Sequence, residues 1–153
     1  MSVTNAGSDP DLPAQALNFS LAQAPSGATI NSGTGVVTWR PAIGQAGASY
    51  PFVVRLADNG VPGMSATQQF SVLVSPPVQP GIISPAIAAG NFTMNIGGDV
   101  GPDYLIYSST NLATSYASWQ LLVNTNPTIL PFQFTDALIA GRLQNFYRVK
   151  LGP

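Results

Sequence analysis

The sequence predicts an all-β protein built from two small β-sandwich-like domains in tandem. Three observations lead to this prediction. Apolar residues alternate with polar or small ones over short runs, which is typical of half-buried strands. Glycine and proline are frequent, 15 and 14 among 153 residues, and they cluster between the runs as turn signals do. Apart from a short turn around residues 113–117, no segment keeps a helical apolar period.

The first half of the chain contains four alternating runs separated by turn signals such as Pro25-Ser26-Gly27 and Asn59-Gly60-Val61-Pro62-Gly63. A period of two predicts antiparallel strands with one buried face, and this spacing suits a β-sandwich. The apolar positions of the runs are Leu17, Phe19 and Leu21; Val37 and Trp39; Tyr50, Phe52, Val54 and Leu56; and Phe70, Val72 and Val74.

A proline-rich segment, Ser75-Pro76-Pro77-Val78-Gln79-Pro80-Gly81, follows these runs. Proline cannot donate to a sheet ladder and favours an extended connection, so we predict a domain over 1–75, a linker over 76–81 and a second domain over 82–153. Strand-like runs resume beyond the linker, at Phe92, Met94 and Ile96; residues 104–107; residues 119–123; Phe132 and Phe134; and residues 146–151.

Charge is scarce. Only 7% of residues are Asp, Glu, Lys or Arg and the formal net charge is −1, whereas an average domain has roughly a quarter of charged residues. There is no basic field to attract a phosphate backbone, so nucleic-acid binding is not expected. No apolar run reaches the ~20 residues that span a bilayer, so membrane insertion is not expected either. Residues 1–5 lack the positive and apolar segments of a signal peptide.

Three of the six carboxylates lie in two short segments that interrupt strand-like sequence. Asp9 and Asp11 belong to Ser8-Asp9-Pro10-Asp11-Leu12-Pro13, and Asp58 belongs to Ala57-Asp58-Asn59-Gly60. Two Asp residues spaced by one position can both direct oxygens at a hard cation such as calcium. The same residues are also ordinary turn formers, because their side chains accept hydrogen bonds from nearby backbone amides. Both interpretations stay open.

Residues 3–75 resemble the cadherin-like, immunoglobulin-fold repeats of bacterial surface proteins. The resemblance rests on an ordered set of pieces: the Asp9 segment, Leu17-Asn18-Phe19-Ser20-Leu21, Thr34-Gly35-Val36-Val37-Thr38-Trp39, Val54-Arg55-Leu56-Ala57-Asp58-Asn59-Gly60 and Ser65-Ala66-Thr67-Gln68-Gln69-Phe70. More loosely, the second half resembles a β-rich module at the C-terminal ends of large secreted bacterial proteins. That likeness rests on Tyr107-Ser108-Ser109-Thr110-Asn111-Leu112, Trp119-Gln120-Leu121-Leu122, Phe134-Thr135-Asp136 and Phe146-Tyr147-Arg148-Val149.

The first resemblance implies an extracellular or cell-surface location and calcium ligation by Asp9, Asp11 and Asp58. In the family, the remaining ligands come from the preceding repeat, so we expect only weak binding, on the order of 10⁻⁴–10⁻³ M. An immunoglobulin-like repeat also has more strand sequence before this loop than residues 1–7 supply. Two explanations are open: the chain is part of a longer protein, which is the commoner cause, or the first domain lacks its N-terminal strand and receives one from a neighbouring subunit.

No enzymatic activity is expected. The chain has no His and no Cys, so a serine nucleophile would lack its usual base and no thiolate is present. Tyr104, Tyr107 and Trp119 offer aromatic faces on which a sugar ring can stack, although core packing is the favoured explanation for most of the aromatic residues. Two function classes follow: a structural or adhesive module, acting as spacer or filament subunit, and a carbohydrate-binding accessory module of a secreted polysaccharide-degrading enzyme.

Overall fold

The computed structural model describes residues 1–10 and 13–152. As predicted, the chain is all-β. Two short 3₁₀ turns, Ile43–Gln45 and Tyr116–Ser118, accompany the strands of the described residues. In chain order the strands are β1 (Ser2–Thr4), β2 (Asn18–Gln23), β3 (Thr29–Ile30), β4 (Val36–Thr38), β5 (Ser49–Ala57), β6 (Ser65–Leu73), β7 (Gly81–Ala88), β8 (Asn91–Gly97), β9 (Asp103–Ser109), β10 (Gln120–Thr125), β11 (Phe132–Ala137) and β12 (Phe146–Gly152).

The chain divides into two compact units, Met1–Ser75 and Pro76–Pro153. No strand is formed over residues 74–80, where the three prolines lie. Strand β7 begins at Gly81, the last residue of the predicted linker. Each unit is a β-sandwich with its own apolar core.

The first unit packs a sheet of order β1-β4-β3 against a sheet of order β2-β5-β6. Its buried cluster takes one face of each main strand, as the alternation predicted: Phe19, Val37, Trp39, Phe52 and Val54. Rings meet at the centre of this cluster, where Trp39 packs edge-on against Phe52 with centroids 5.5 Å apart. Phe52 also stacks on Phe70 at 4.9 Å. The aromatic layer fixes how the two sheets pack.

Strand β1 is the N-terminal strand of this unit. Its Val3 lies opposite Val37 of β4, and Asn5 just beyond it donates from both its backbone N–H (3.1 Å) and its side-chain amide (2.9 Å) to the carbonyl of Gly35. Gly35 has φ +67°, and a Cβ there would lie 2.5 Å from the Asn5 carbonyl oxygen. The described first unit therefore has six strands, one fewer than the seven of a constant-type immunoglobulin domain.

The second unit packs a sheet of order β11-β8-β7 against a sheet of order β10-β9-β12. Met94, Ile96, Tyr104, Ile106 and Phe134 are buried between them. At one side of this core, the Tyr147 hydroxyl donates to a carboxylate oxygen of Asp136 at 2.8 Å. Burial and this hydrogen bond raise the pKa of Tyr147.

Strand β7 is absent from the predicted elements. All eight of its residues are exposed, so its apolar residues do not alternate as they would on a half-buried strand. It also contains Pro85, and its pairing with β8 shifts between Ile83 and Ala86. An exposed edge strand with an internal proline at a bulge carries none of the usual strand signals.

Candidate functional site

The predicted calcium ligands Asp9 and Asp58 line one shallow cavity of about 350 Å³ in the first unit. Pro10, Leu17 and Met64 lie on the same rim. The structure therefore brings together two of the three carboxylates that the sequence singled out. The third, Asp11, falls outside the described residues.

The Asp58 carboxylate organises the loop between β5 and β6. Its Oδ1 accepts the backbone N–H of Gly60 at 2.9 Å, and both oxygens accept the N–H of Met64, at 2.9 and 3.0 Å. A carboxylate that accepts backbone N–H groups makes the stronger, charge-assisted class of hydrogen bond. Asp58 thus does what the turn-capping interpretation expects, and the same residue lines the cavity that it shares with Asp9.

The neighbouring residues tie the Asp9 side of the cavity to this loop. The Asn59 side-chain oxygen accepts the N–H of Ala16 at 2.9 Å. The Gln15 side-chain amide packs against Gly60. Within the described part of the chain, no group of three Asp, Glu, His or Cys side chains is arranged to hold a metal ion, so calcium at Asp9, Asp11 and Asp58 stays a prediction.

Of the three predicted sugar-stacking residues, the structure corrects the expectation for Tyr104. Its side chain has 0% exposure, and its hydroxyl donates to the backbone carbonyl of Asp99 at 2.9 Å. Burial, with a smaller contribution from the negative charge of Asp99, raises the pKa of Tyr104. The ring packs edge-on against Phe132, so Tyr104 belongs to the core and offers no face to a ligand.

The other two, Tyr107 and Trp119, line a second cavity of about 340 Å³ together with Tyr116, Ala117, Arg148 and Lys150. We call it the aromatic–cationic pocket. Tyr107 of β9 lies directly opposite Arg148 of β12, and Lys150 is two residues further along the same strand, hence on the same face.

The 3₁₀ turn Tyr116–Ser118 supplies the other side of this pocket. The Cζ atom of Arg148 lies 3.9 Å from the centroid of the Tyr116 ring, a cation–π contact. Tyr116 also packs edge-on against Trp119, with ring centroids 5.3 Å apart. Sequence patterns did not identify Arg148 and Lys150 as residues of this site. Only the register between β9 and β12 places them beside Tyr107.

A larger apolar groove, of about 570 Å³, opens beside strand β7 in the second unit. Its lining includes Ile82 and Ile87 of β7, Phe92 and Met94 of β8, and Leu143 of the β11–β12 connection. Ile87 and Leu143 are largely exposed. Arg142 is the one charged residue among the described residues that line the groove. The groove therefore offers a ligand mainly apolar contacts and few charged groups.

Comparison with known families gives one match. Residues 1–75 match the model of the family described as "Putative Ig domain", which supports the immunoglobulin-like fold of the first unit. A search of the curated proteins finds no match to the chain. None of the helices in the described residues is long and apolar enough to cross a membrane.

Proposed function

We propose that a chain whose N-terminal unit is an immunoglobulin-like β-sandwich serves as a non-enzymatic structural or adhesive module of a bacterial surface or secreted protein. The observation that carries the proposal is the agreement between the six-stranded sandwich and the family match over the same 75 residues. In such a sandwich the inward-facing side chains of both sheets pack together to form the core. The Asp58 carboxylate accepts backbone N–H groups of the β5–β6 loop and so holds that loop.

The partners we propose are neighbouring domains or identical subunits. The outer strand of the β2-β5-β6 sheet supports this, because β6 runs over nine residues, Ser65–Leu73, and most of them are exposed. An exposed edge strand presents unpaired backbone groups to which another strand can add. Sedimentation of the full chain over a range of concentrations tests the idea. Growth into dimers or longer assemblies supports strand pairing, and a monomer at all concentrations contradicts it.

Calcium at the Asp9–Asp58 rim is the finer part of the proposal. Its support is that both carboxylates line one cavity, and that calcium takes six to eight oxygen ligands, including backbone carbonyls and water. Because Asp58 already accepts two backbone N–H groups, we expect weak binding. With a Kd of about 1 mM, 10 mM calcium would stabilise the folded unit by about 1.4 kcal/mol.

Thermal melting with and without calcium tests this part. Each unit contains one tryptophan, Trp39 or Trp119, so a Trp119→Phe background makes the fluorescence report on the first unit alone. Calcium at 10 mM should raise that transition by roughly 5–10 °C, and Asp9→Asn should abolish the shift. Asp136→Asn, in the second unit, is the control that should leave the shift intact. An unchanged transition would remove calcium from the proposal.

A second candidate function, carbohydrate binding as an accessory module of a secreted polysaccharide-degrading enzyme, is favoured by the aromatic–cationic pocket. Tyr107, Tyr116 and Trp119 converge there, and Tyr116 is 57% exposed. Aromatic residues combine a large apolar face with a polar edge, which suits contact with a sugar ring. Binding of oligosaccharides to the full chain, lost on Tyr116→Ala, is the direct test.

A further inference from the structure

We propose that the aromatic–cationic pocket binds a carboxylate-bearing sugar, and so selects acidic over neutral polysaccharides. The inference rests on the second candidate function, carbohydrate binding, and adds the class of ligand and the residues that recognise it. Arg148 and Lys150 would pair with the carboxylate, and Tyr116 would contact the sugar ring.

The charge distribution supports an anionic ligand. The chain has five Lys and Arg residues in all, and two of them, Arg148 and Lys150, line this one cavity. None of its described lining residues is acidic. Two cations without a lining carboxylate make the pocket locally positive in a protein whose net charge is −1. Arg is suited to planar, bidentate recognition of a carboxylate, and Lys adds a mobile point charge.

The ring surfaces support a ligand that has an apolar face as well as a charge, as a sugar acid does. Tyr116 holds the Arg148 guanidinium 3.9 Å from its ring centre, which limits the directions from which an anion can reach that cation. Trp119 is 7% exposed, and its Nε1–H has no hydrogen-bond partner among the described residues. Buried donors are normally satisfied, so an unpartnered donor on a residue that lines the pocket fits a site that a ligand's acceptor completes.

The size of the pocket favours one or two sugar rings over a longer polyanion. Its volume of about 340 Å³ is at the lower end of the ~300–1,000 Å³ typical of small-molecule sites. Nucleic-acid binding depends on neutralising a series of phosphates along a track, and two cations in one cavity do not form such a track. A sugar with one carboxylate per ring matches both the charge and the volume.

Titration of the full chain with trigalacturonate, and with the same trisaccharide methyl-esterified at its carboxyl groups, tests the inference. The ester lacks the negative charges and carries one added methyl group at each carboxyl. Calorimetry or NMR at low salt should show saturable binding of the acid, about tenfold weaker binding of the ester, and weakening of the acid by added salt. Lys150→Gln should weaken acid binding by about tenfold and leave ester binding unchanged, while Tyr116→Ala should weaken both. Arg142→Gln, an exposed cation of the same unit outside the pocket, is the matched control and should change neither.

The outcomes separate the inference from the function on which it rests. Equal binding of acid and ester, both insensitive to Lys150→Gln, would overturn acid selection and leave carbohydrate binding standing. If neither ligand binds at about 10 mM, ten times a Kd of ~1 mM, both acid selection and carbohydrate binding are overturned. Binding of single-stranded oligothymidylate in competition with trigalacturonate would overturn the choice of sugar as ligand. Thermal melting of each variant followed by circular dichroism, which reports on both units, confirms that the variant is folded.

Discussion

Replacing Asp58 with Asn should destabilise the first unit without any metal being involved. The carboxylate accepts the N–H of Gly60 at 2.9 Å and that of Met64 at 2.9 and 3.0 Å. Asn is uncharged, so both bonds to its one oxygen become neutral ones, and with that oxygen in the place of Oδ1 the Met64 N–H loses its second acceptor and meets an NH₂ group. A hydrogen bond to a charged group is worth about 1.5–3 kcal/mol. Since Asp58 is only half-buried, we expect a loss of about 1–2 kcal/mol.

For a unit of 75 residues, 1 kcal/mol corresponds to a melting shift of about 4–8 °C. The Asp58→Asn variant should therefore melt roughly 5–15 °C lower. The assay is thermal melting of the full chain in EDTA, followed by Trp39 fluorescence in the Trp119→Phe background. Trp39 is 2% exposed in the core of the first unit, so its emission changes when that unit unfolds.

The EDTA condition makes the result independent of calcium. Asp136→Asn removes a carboxylate of the second unit that accepts the Tyr147 hydroxyl, and it should leave the Trp39 transition unchanged. An Asp58→Asn variant that melts within 1–2 °C of its parent in EDTA would refute the capping role, since so small a shift is about 0.3 kcal/mol. A loss seen only when calcium is present would assign Asp58 to the metal instead.

Three further predictions concern packing and pH. Gly35→Ala should lower the free energy of unfolding of the first unit by about 2–3 kcal/mol, because φ is +67° and the new Cβ would meet the Asn5 carbonyl. Urea unfolding measures this loss. Gly44→Ala, where no atom lies within 4 Å of the added Cβ, is the neutral control. Phe52→Ala should cost about 3–5 kcal/mol, because the ring has 0% exposure and contacts other rings of the core, and a loss under 1 kcal/mol would contradict the assigned core. The contribution of the neutral Tyr104 and Tyr147 hydroxyls to the stability of the second unit should be fully present below the unfolded tyrosine pKa of about 10, and it should be lost as pH rises through their raised folded pKa values. Melting across this pH range checks the prediction, and Tyr104→Phe should flatten the slope.

Alternation of apolar residues predicted the fold class because each half-buried strand repeats with a period of two. It placed Phe19, Trp39 and Phe52 in the core, where the structure has them. It failed at β7, whose residues are all exposed and therefore show no buried face. The sequence predicts a strand where burial of one face imposes an alternating pattern. It does not predict a strand that is stabilised by backbone pairing alone.

The candidate site was predicted less well. The prediction placed Tyr104 and Tyr107 on one face, but they are three residues apart, and residues at that spacing on one strand point to opposite faces. The structure buries Tyr104 and leaves Tyr107 in the aromatic–cationic pocket. Arg148 and Lys150 are distant in sequence from both, and only the pairing of β12 with β9 brings them there. Register between strands far apart in sequence was not predicted by any local pattern.

Strand β7 has a consequence for solubility. It carries Ile82, Ile83 and Ile87 on an exposed edge, a composition that invites aggregation between molecules. Pro85 removes one backbone donor in the middle of this edge, and Ser84 beside it has φ +50° at the point where the register shifts. The kink breaks the straight row of donors and acceptors that a growing fibril would need. The same eight residues that leave an apolar strand uncovered thus also limit uncontrolled self-assembly along it.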